Sequence, residues 1–232
     1  MEMLEGKVLI FSDTHFKHRF DVGRFELLKG LIEEADRVIV NGDLWDYWFV
    51  SWEDFLESEW SGLFGLLKSK QAVYLYGNHD PEEEMDERMN LFCDWSGKEF
   101  AFESGGTRFM VTHGNQLVNK NRGILKPYKA VIKWFVGKPE WRWLMRVLTD
   151  VESVGYRFIG YDKVVKNYLA QALNREMKQA KQEKYVGYDW LVCGDSHLAE
   201  TDNEAGFVNT GCVLMGVENW VLVEDGEVSM IV

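Results

Sequence analysis

The sequence predicts an α/β fold in which two β-sheets pack as a sandwich, with helices outside and a helical insertion at about 117–187. Two observations lead to this prediction. Strand-like and helix-like patterns alternate over the first hundred residues, which is typical of a parallel sheet with crossover helices. From about residue 99 the pattern changes to short strand-like runs, interrupted by a basic segment that Pro127 and Pro139 divide into helical pieces.

The first half of the chain supplies alternating strands and helices. An apolar run at 7–12 stops at Asp13, as a buried strand does at a loop. Apolar residues from Phe25 to Ile32 recur at helical spacing and predict a helix at 24–35. The other elements predicted here are strands at 37–41 and 71–76, a helix at 52–67 and a helix that begins at Pro81.

The second half supplies a hairpin, the insertion and a series of short strands. The hairpin pairs 99–103 with 107–112 and turns at Gly105 and Gly106. The longest predicted helix of the insertion runs from Lys163 to Lys184. The strands predicted after it lie at 188–193, 206–210, 213–215, 220–224 and 228–232.

Composition places the chain among globular proteins. Its 232 residues fit one domain over 1–232, and the aromatic content of 14% argues against disorder. No apolar run approaches the roughly 20 residues of a spanning helix, and no signal peptide is visible. The three cysteines are odd in number and lack a C-x-x-C spacing, so we expect no disulfide framework and a cytoplasmic location.

Charge is divided unevenly along the chain. The net charge of −12 disfavours nucleic acid as a partner, because phosphates attract basic surfaces. Residues 117–190 nevertheless hold 15 of the 26 lysines and arginines but 7 of the 38 acidic residues. This division indicates that the basic segment meets an anionic partner, whereas the acidic remainder suits a site for multivalent cations.

Potential metal ligands follow five of the strand-like runs. They are Asp13 with His15, Asp43, Asn78 with His79 and Asp80, His113, and Asp195 with His197. Ligands of open α/β sheets gather beyond the carboxyl ends of the strands, so separate loops can surround one point. Each residue alone is more often a turn or a cap. Their joint occurrence in order favours a metal site, and the mix of Asp, Asn and His suits Mn²⁺, Fe²⁺ or Zn²⁺.

These motifs resemble those of the calcineurin-like metallophosphoesterases. The motifs are Asp13-x-His15, Gly42-Asp43, Gly77-Asn78-His79-Asp80, His113-Gly114 and Gly194-x-x-His197. The resemblance covers nearly the whole chain and implies the four-layer αββα fold of that superfamily. It also implies two metal-ion sites that share Asp43: one ion held by Asp13, His15, Asp43 and His197, and a second held by Asn78 and His113. The layout of the insertion is similar to that of the UDP-2,3-diacylglucosamine hydrolases of lipid A synthesis.

Two positions depart from these patterns. The family's last motif is normally Gly-His-x-His, and Asp195 stands where the first histidine would bind the second ion. Asp195 either ligates that ion, as a carboxylate can ligate Mn²⁺, or leaves it weakly bound. The remaining alternative is that Asp195 caps the following turn. In the narrower group, arginine typically follows the asparagine, where this chain has His79.

The resemblance implies hydrolysis of a phosphoester or pyrophosphate, such as a nucleotide-sugar or lipid-linked pyrophosphate. Two cations about 3.5–4 Å apart lower the pKa of a bridging water, whose hydroxide would attack phosphorus without a serine or cysteine nucleophile. We expect two divalent ions, Mn²⁺ foremost, with Fe²⁺, Zn²⁺ or Mg²⁺ as alternatives. His79 would protonate the leaving oxygen, Asp80 would orient its ring, and Asn78 and His79 would contact the substrate. The alternatives are a binding module with weakened catalysis and a nucleotide or nucleic-acid phosphodiesterase.

The insertion combines basic and aromatic residues. They are Lys120, Arg122, Lys126, Lys129, Lys133, Trp134, Phe135, Trp141 and Trp143. Such a mix suits a lipid-bearing phosphate substrate and peripheral contact with a membrane. It also suits single-stranded nucleic acid, or a plain helical cap whose aromatic residues pack on the core.

Overall fold

The computed structural model describes residues 1–118, 143–144, 147, 160–161, 163 and 168–232, and in them two mixed six-stranded sheets. The first sheet contains, in spatial order, β14 (Glu227–Ile231), β13 (Trp220–Glu224), β2 (Val8–Phe11), β3 (Arg37–Asn41), β4 (Val73–Leu75) and β5 (Trp95–Gly97). The second sheet contains β1 (Glu2–Met3), β6 (Glu99–Ser104), β7 (Thr107–Thr112), β8 (Trp190–Cys193), β10 (Phe207–Asn209) and β9 (Glu200–Asp202). A small ribbon pairs β11 (Val213–Leu214) with β12 (Val217–Glu218).

Helices cover the outer faces of both sheets. The α-helices whose bounds the structure describes are α1 (Val22–Glu34), α2 (Trp52–Leu56), α3 (Phe64–Ser69) and α4 (Tyr168–Glu183). Short 3₁₀ helices lie at Glu59–Leu63, Glu82–Glu84 and Glu87–Leu91. The carboxylate of Asp21 accepts a hydrogen bond from the Arg24 amide at 3.1 Å and so caps the start of α1.

The two sheets pack face to face through alternate residues of their strands. Val8 and Ile10 of β2 share a buried cluster with Phe102 of β6. Because successive strand side chains point to opposite faces, Leu9 lies on the other side of the sheet, where it shares a cluster with Leu28 of α1. One face of the first sheet is therefore covered by a helix, and its other face packs against the second sheet.

Helix α4 covers the outer face of the second sheet. Its Met177 is fully buried in a cluster with Leu191 of β8 and Phe207 of β10. The order of layers is thus helix, sheet, sheet, helix. This confirms the predicted four-layer αββα architecture.

Strand direction brings the polar loops to one end of each sheet. β2 is parallel to β3 and β3 to β4, and β7 is parallel to β8. The loops that follow β2, β3 and β4 therefore leave the first sheet at the same end, and those that follow β7 and β8 leave the second sheet together. These five loops carry the predicted site residues.

The predicted helix over 52–67 is wrong as one continuous element. It is divided into α2, the 3₁₀ helix Glu59–Leu63 and α3. At the break, the backbone of Ser58 is extended (φ −76°, ψ 166°) and its hydroxyl donates to the carbonyl of Phe55 at 2.6 Å. A serine hydroxyl bonded to the backbone competes with the helical ladder, which explains the interruption.

The predicted insertion at 117–187 lies mostly outside the described residues. Within it, the structure describes α4, Tyr168–Glu183, which lies inside the helix predicted from Lys163 to Lys184. The basic and aromatic residues singled out in this segment, apart from Trp143, lie outside the described residues. In the part of the chain that the structure describes, no helix combines the length and apolar character needed to cross a membrane.

Candidate metal centre

Side chains from the loops of both sheets meet in one buried cluster, the candidate metal centre. Its possible ligand atoms form three groups, each within 4.8 Å: Asp13, His15 and His197; His15, Asp43 and His79; and Asp13, Asp43 and His113. Asp13, His15 and Asp43 each belong to two groups, so the three groups are parts of a single cluster. We call the loops after β2, β3 and β4 its first-sheet side, and those after β7 and β8 its second-sheet side.

Five residues of these loops adopt left-handed backbone conformations. The φ angles are 53° at Asp13, 44° at His15, 54° at Asp43, 64° at Asp195 and 59° at His197. Such a conformation costs a residue with a side chain roughly 1–3 kcal/mol and is concentrated at functional sites. The fold therefore holds these five side chains in place at a cost in backbone energy.

Two glycines of the predicted motifs allow ligand side chains to approach the backbone closely. A Cβ at Gly77 would lie 2.1 Å from Asp43 Oδ1. Gly42 has a φ of 82°, and a Cβ there would lie 2.6 Å from His113 Nδ1. Any larger residue at either position would displace a ligand, which is the physical reason for glycine in the motifs.

Each central carboxylate has one oxygen held by the protein and one that faces the cluster. Asp13 Oδ2 accepts hydrogen bonds from the Ser12 hydroxyl and, at 3.2 Å, from the Asp195 amide. Its Oδ1 lies 3.1 Å from His197 Nε2. Asp43 Oδ1 accepts from the His79 amide at 2.8 Å, and its Oδ2 lies 3.4 Å from His113 Nε2.

Two histidines are oriented in the same way. His113 Nδ1 donates to the carbonyl of Asn41 at 2.7 Å, so its Nε2 faces the cluster. His197 Nδ1 lies 2.5 Å from the Tyr161 hydroxyl, and its Nε2 faces Asp13. Metal-bound histidines are commonly held through the second ring nitrogen in this manner.

The cluster fits divalent cations on the evidence of its buried polar atoms. Asp13 Oδ1 and His113 Nε2 are buried and have no hydrogen-bond partner among the described residues. A buried polar atom without a partner is costly, and a cation between such atoms would satisfy them. Carboxylate oxygen together with imidazole nitrogen is a ligand set that first-row divalent ions accept.

The ring of His79 is held by Asp46 rather than by the predicted Asp80. Its Nδ1 lies 3.0 Å from Asp46 Oδ1, and its ring packs on Trp48 with 4.1 Å between centroids. The Asp80 carboxylate instead accepts from the Gly77 amide at 2.7 Å, the Leu44 amide at 2.6 Å and the Tyr74 hydroxyl. Asp80 therefore fixes the loops that carry Asp43 and His79, and the orienting role belongs to Asp46.

Asn78 and Asp195 lie beside the cluster but outside its three groups of ligand atoms. Asn78 is half-buried and directly precedes His79 in the loop after β4. Asp195 Oδ1 lies 3.7 Å from His113 Nε2, on the second-sheet side. Ligation of an ion by either residue stays a prediction.

The carboxylates and imidazoles shift one another's pKa values. Burial alone would raise the pKa of Asp43, but His113 and His79 outweigh burial and hold that pKa well below its usual range. Burial lowers the pKa of His79, yet Asp46 and Asp43 raise it above its ordinary value. Asp195 differs from Asp43, because burial raises its pKa to about 6 against the opposing effect of His113.

Two residues of the site escaped prediction from the sequence. Asp46 stands three residues after Asp43 in the same loop, a proximity that could have indicated it. Tyr161 lies within the insertion, where no pattern distinguishes it from neighbouring aromatic residues.

Comparison with known proteins agrees with this geometry. The calcineurin-like phosphoesterase family matches residues 6–199. No curated protein matches the chain at a significant level. The chain therefore belongs to the calcineurin-like phosphoesterase family, and it is a metal-dependent phosphoesterase by class. The resemblance seen in the sequence is confirmed at this level.

Solved structures similar to this chain have low sequence identity to it. Vacuolar Protein Sorting 29 from Cryptosporidium parvum is 13% identical, with a TM-score of 0.50 over 97% of this chain and 95% of that chain. Wild-type Vps29 complexed with Zn²⁺ from Entamoeba histolytica is 16% identical, with a TM-score of 0.49 over 97% and 89%. Yfce, a phosphoesterase from E. coli, is 14% identical, with a TM-score of 0.43 over 97% and 98%. At 13% identity, the likeness to the Cryptosporidium parvum protein concerns the fold alone.

Proposed function

We propose that the chain hydrolyses a phosphoester or pyrophosphate with two divalent cations, Mn²⁺ foremost, held by the candidate metal centre. The observation that carries this proposal is the overlap of three ligand groups around buried atoms that have no hydrogen-bond partner in the described part of the chain. When bound, such cations activate water and neutralise charge on phosphoryl oxygens. Asp13, His15, Asp43, His113 and His197 would hold them, with Asn78 and Asp195 as further ligands of the second ion.

His79 is the proposed acid for the leaving oxygen. Its Nδ1 donates to Asp46, which fixes the ring plane and leaves Nε2 to carry the transferable proton. The Asp46 carboxylate also favours the protonated ring, which agrees with the raised pKa of His79. Trp48 covers one face of the ring and limits its rotation.

The described cysteines are poor candidates for a covalent nucleophile. Burial raises the pKa of Cys93 to about 11, and it also raises the pKa values of Cys193 and Cys212. A thiol must ionise to attack phosphorus, so these side chains are inert near neutral pH. This supports direct attack by water.

The proposed substrate is an amphiphilic phosphate, such as a nucleotide-sugar or lipid-linked pyrophosphate. Support comes from the sequence of the insertion, which joins basic to aromatic residues within 120–143. Cations would attract the phosphates and aromatic rings would accept an apolar chain. A lipid-linked substrate would bring this segment to a membrane surface, a contact that sedimentation with anionic and with zwitterionic vesicles would detect.

A panel of metals and substrates tests the proposal. The chelated protein is reloaded with Mn²⁺, Fe²⁺, Zn²⁺ or Mg²⁺ and assayed on an aryl phosphomonoester, an aryl phosphodiester, a nucleotide-sugar pyrophosphate and a lipid-linked pyrophosphate. We expect chelation to abolish hydrolysis and added metal to restore it. Glu227→Gln, an exposed change on β14, serves as the control and should behave like the wild type.

Three results would count against the proposal in different ways. Activity that survives exhaustive chelation would exclude metal dependence. Complete metal loading without hydrolysis of any of the four substrates would favour the binding module with weakened catalysis. If a nucleic-acid diester is assayed as a fifth substrate, its cleavage without cleavage of the other four would instead favour the phosphodiesterase.

A further inference from the structure

The ring of His197 is held by a residue that the motifs do not contain. Tyr161 Oη lies 2.5 Å from His197 Nδ1, while His197 Nε2 faces Asp13 Oδ1 at 3.1 Å and His15 Nε2 at 3.2 Å. The two ring nitrogens therefore have different neighbours: one meets a neutral hydroxyl, and the other points into the cluster of ligands.

Tyr161 is fixed well enough to orient a neighbouring ring. It is 8% exposed and packs in a cluster with Cys212 and with Leu214 of β11. Its ring centroid lies 6.1 Å from that of His197, with 53° between the ring planes. Because the phenol is held by apolar contacts, its hydroxyl has a defined position from which to bond His197.

The backbone around His197 is held by a residue of α4. Asn174 is fully buried, and its Oδ1 accepts from the Ser196 hydroxyl at 2.7 Å and from Asn209 Nδ2 at 3.0 Å. Its Nδ2 donates to the carbonyl of Leu198 at 3.1 Å. Asn174 thereby bonds the residues on both sides of His197, whose own φ of 59° requires such support.

We propose that Tyr161 and Asn174 are positioning residues that make the insertion part of the metal centre. Tyr161 fixes the ring of His197, and Asn174 fixes the loop that carries it. The inference rests on the proposed function in one respect, because it requires a cation beside Asp13, His15 and His197. When His197 Nε2 holds a cation, Nδ1 is protonated and donates to Tyr161 Oη.

Removal of the Tyr161 hydroxyl provides the test. Tyr161→Phe keeps the packed ring and deletes the bond to His197, so we expect the affinity of the ion at Asp13, His15 and His197 to fall about tenfold or more. Titration of the metal-free protein with Zn²⁺ alone measures this loss without any assay of activity. Asn174→Ala should lower the same affinity, since it frees the loop.

A matched control distinguishes the loss of His197 positioning from the general effect of removing a buried tyrosine hydroxyl. Tyr185 is 3% exposed, and its hydroxyl donates to Glu99 Oε1 at 2.6 Å on the outer side of the second sheet. Tyr185→Phe removes two hydroxyl hydrogen bonds, because the hydroxyl also accepts from Lys184 Nζ at 2.7 Å, but it should leave Zn²⁺ affinity unchanged. Nitrogen NMR of the Zn²⁺-loaded protein should show a shift of His197 Nδ1 in Tyr161→Phe, with His113 unaffected, because His113 is bonded to the Asn41 carbonyl.

The outcomes distinguish this inference from the proposed function. Zn²⁺ binding by the wild type with unchanged affinity and an unchanged His197 signal in Tyr161→Phe would overturn the inference alone. If the wild type binds neither Zn²⁺ nor Mn²⁺, the latter titrated in the same way, both would be overturned. If Tyr161→Phe fails to fold, NMR of the wild type still tests the proposal. A nuclear Overhauser contact between the Tyr161 and His197 rings is expected, and its absence would contradict the proposal.

Discussion

The two sides of the candidate metal centre are held in place by different means. On the first-sheet side, residues of neighbouring loops bond one another: the His79 amide donates to Asp43, and the His79 ring is held by Asp46, which lies in the same loop as Asp43. On the second-sheet side, His197 is held by Tyr161 and by the loop contacts of Asn174, both from the insertion. The side chains of the first-sheet side are thus held by residues of the first-sheet loops. On the second-sheet side, His197 depends on residues of the insertion.

This difference indicates how the site divides its tasks. The first-sheet side contains the proposed acid, His79, and the two carboxylates that belong to two ligand groups each, Asp13 and Asp43. Its chemistry therefore depends on residues that hold one another in place. The other side contains the unusual Asp195, whose raised pKa sets it apart from Asp43. We therefore expect changes on the first-sheet side to affect catalysis most, and changes on the second-sheet side to alter metal affinity.

The largest effect is expected for Asp43→Asn. Asp43 Oδ2 faces both His113 Nε2 at 3.4 Å and His15 Nε2 at 3.6 Å, so the substitution removes negative charge from between the two sides. Metal analysis should show loss of tightly bound metal, and hydrolysis should fall to background. Retention of full metal content and activity would refute a central role for Asp43.

A smaller loss is expected for His79→Ala. If His79 protonates the leaving oxygen, kcat should fall by about 10²–10⁴-fold while the bound metal stays unchanged. Paired measurements of kinetics and metal content check this. Because His79 also belongs to a ligand group with His15 and Asp43, loss of metal would reassign it as a ligand.

Asp46→Asn should reduce kcat less, by about 10–100-fold, because Asp46 acts through His79. It should also change the pH profile in a defined direction. Asp46 raises the pKa of His79, and an acid loses activity as pH rises through its pKa. Removing the carboxylate lowers that pKa, so the alkaline fall in kcat should begin at lower pH than in the wild type. A shift to higher pH would contradict the assignment.

The two sides of the centre also differ in how well the sequence predicts their residues. Asp13, Asp43 and His113 were predictable because each follows a strand-like run within two residues, and parallel strands end together. Tyr161 and Asn174 were not, because helical periodicity in a basic segment does not show which side chains reach the sheet. The order of the strands within each sheet was also not predictable. A strand of two residues such as Glu2–Met3 is too short to show an alternation of apolar and polar residues.

The smallest effect is expected at Asp195. Direct ligation predicts that Asp195→Ala weakens the second ion alone and that Asp195→His restores it with a changed metal preference. The position of Asp195 Oδ1, 3.7 Å from His113 Nε2, agrees with this prediction. Metal titrations of the wild type and both variants check it. Identical two-site isotherms for all three proteins would leave Asp195 as a turn residue.

The central claim is that both sheets together build one centre for two divalent cations. Anomalous diffraction from crystals loaded with Mn²⁺ tests it most directly. The expected result is two anomalous peaks about 3.5–4 Å apart, one beside Asp13, His15 and His197 and the other beside Asp43 and His113. A Mn²⁺-loaded crystal with no peak among these side chains, or with peaks only elsewhere on the protein, would contradict it.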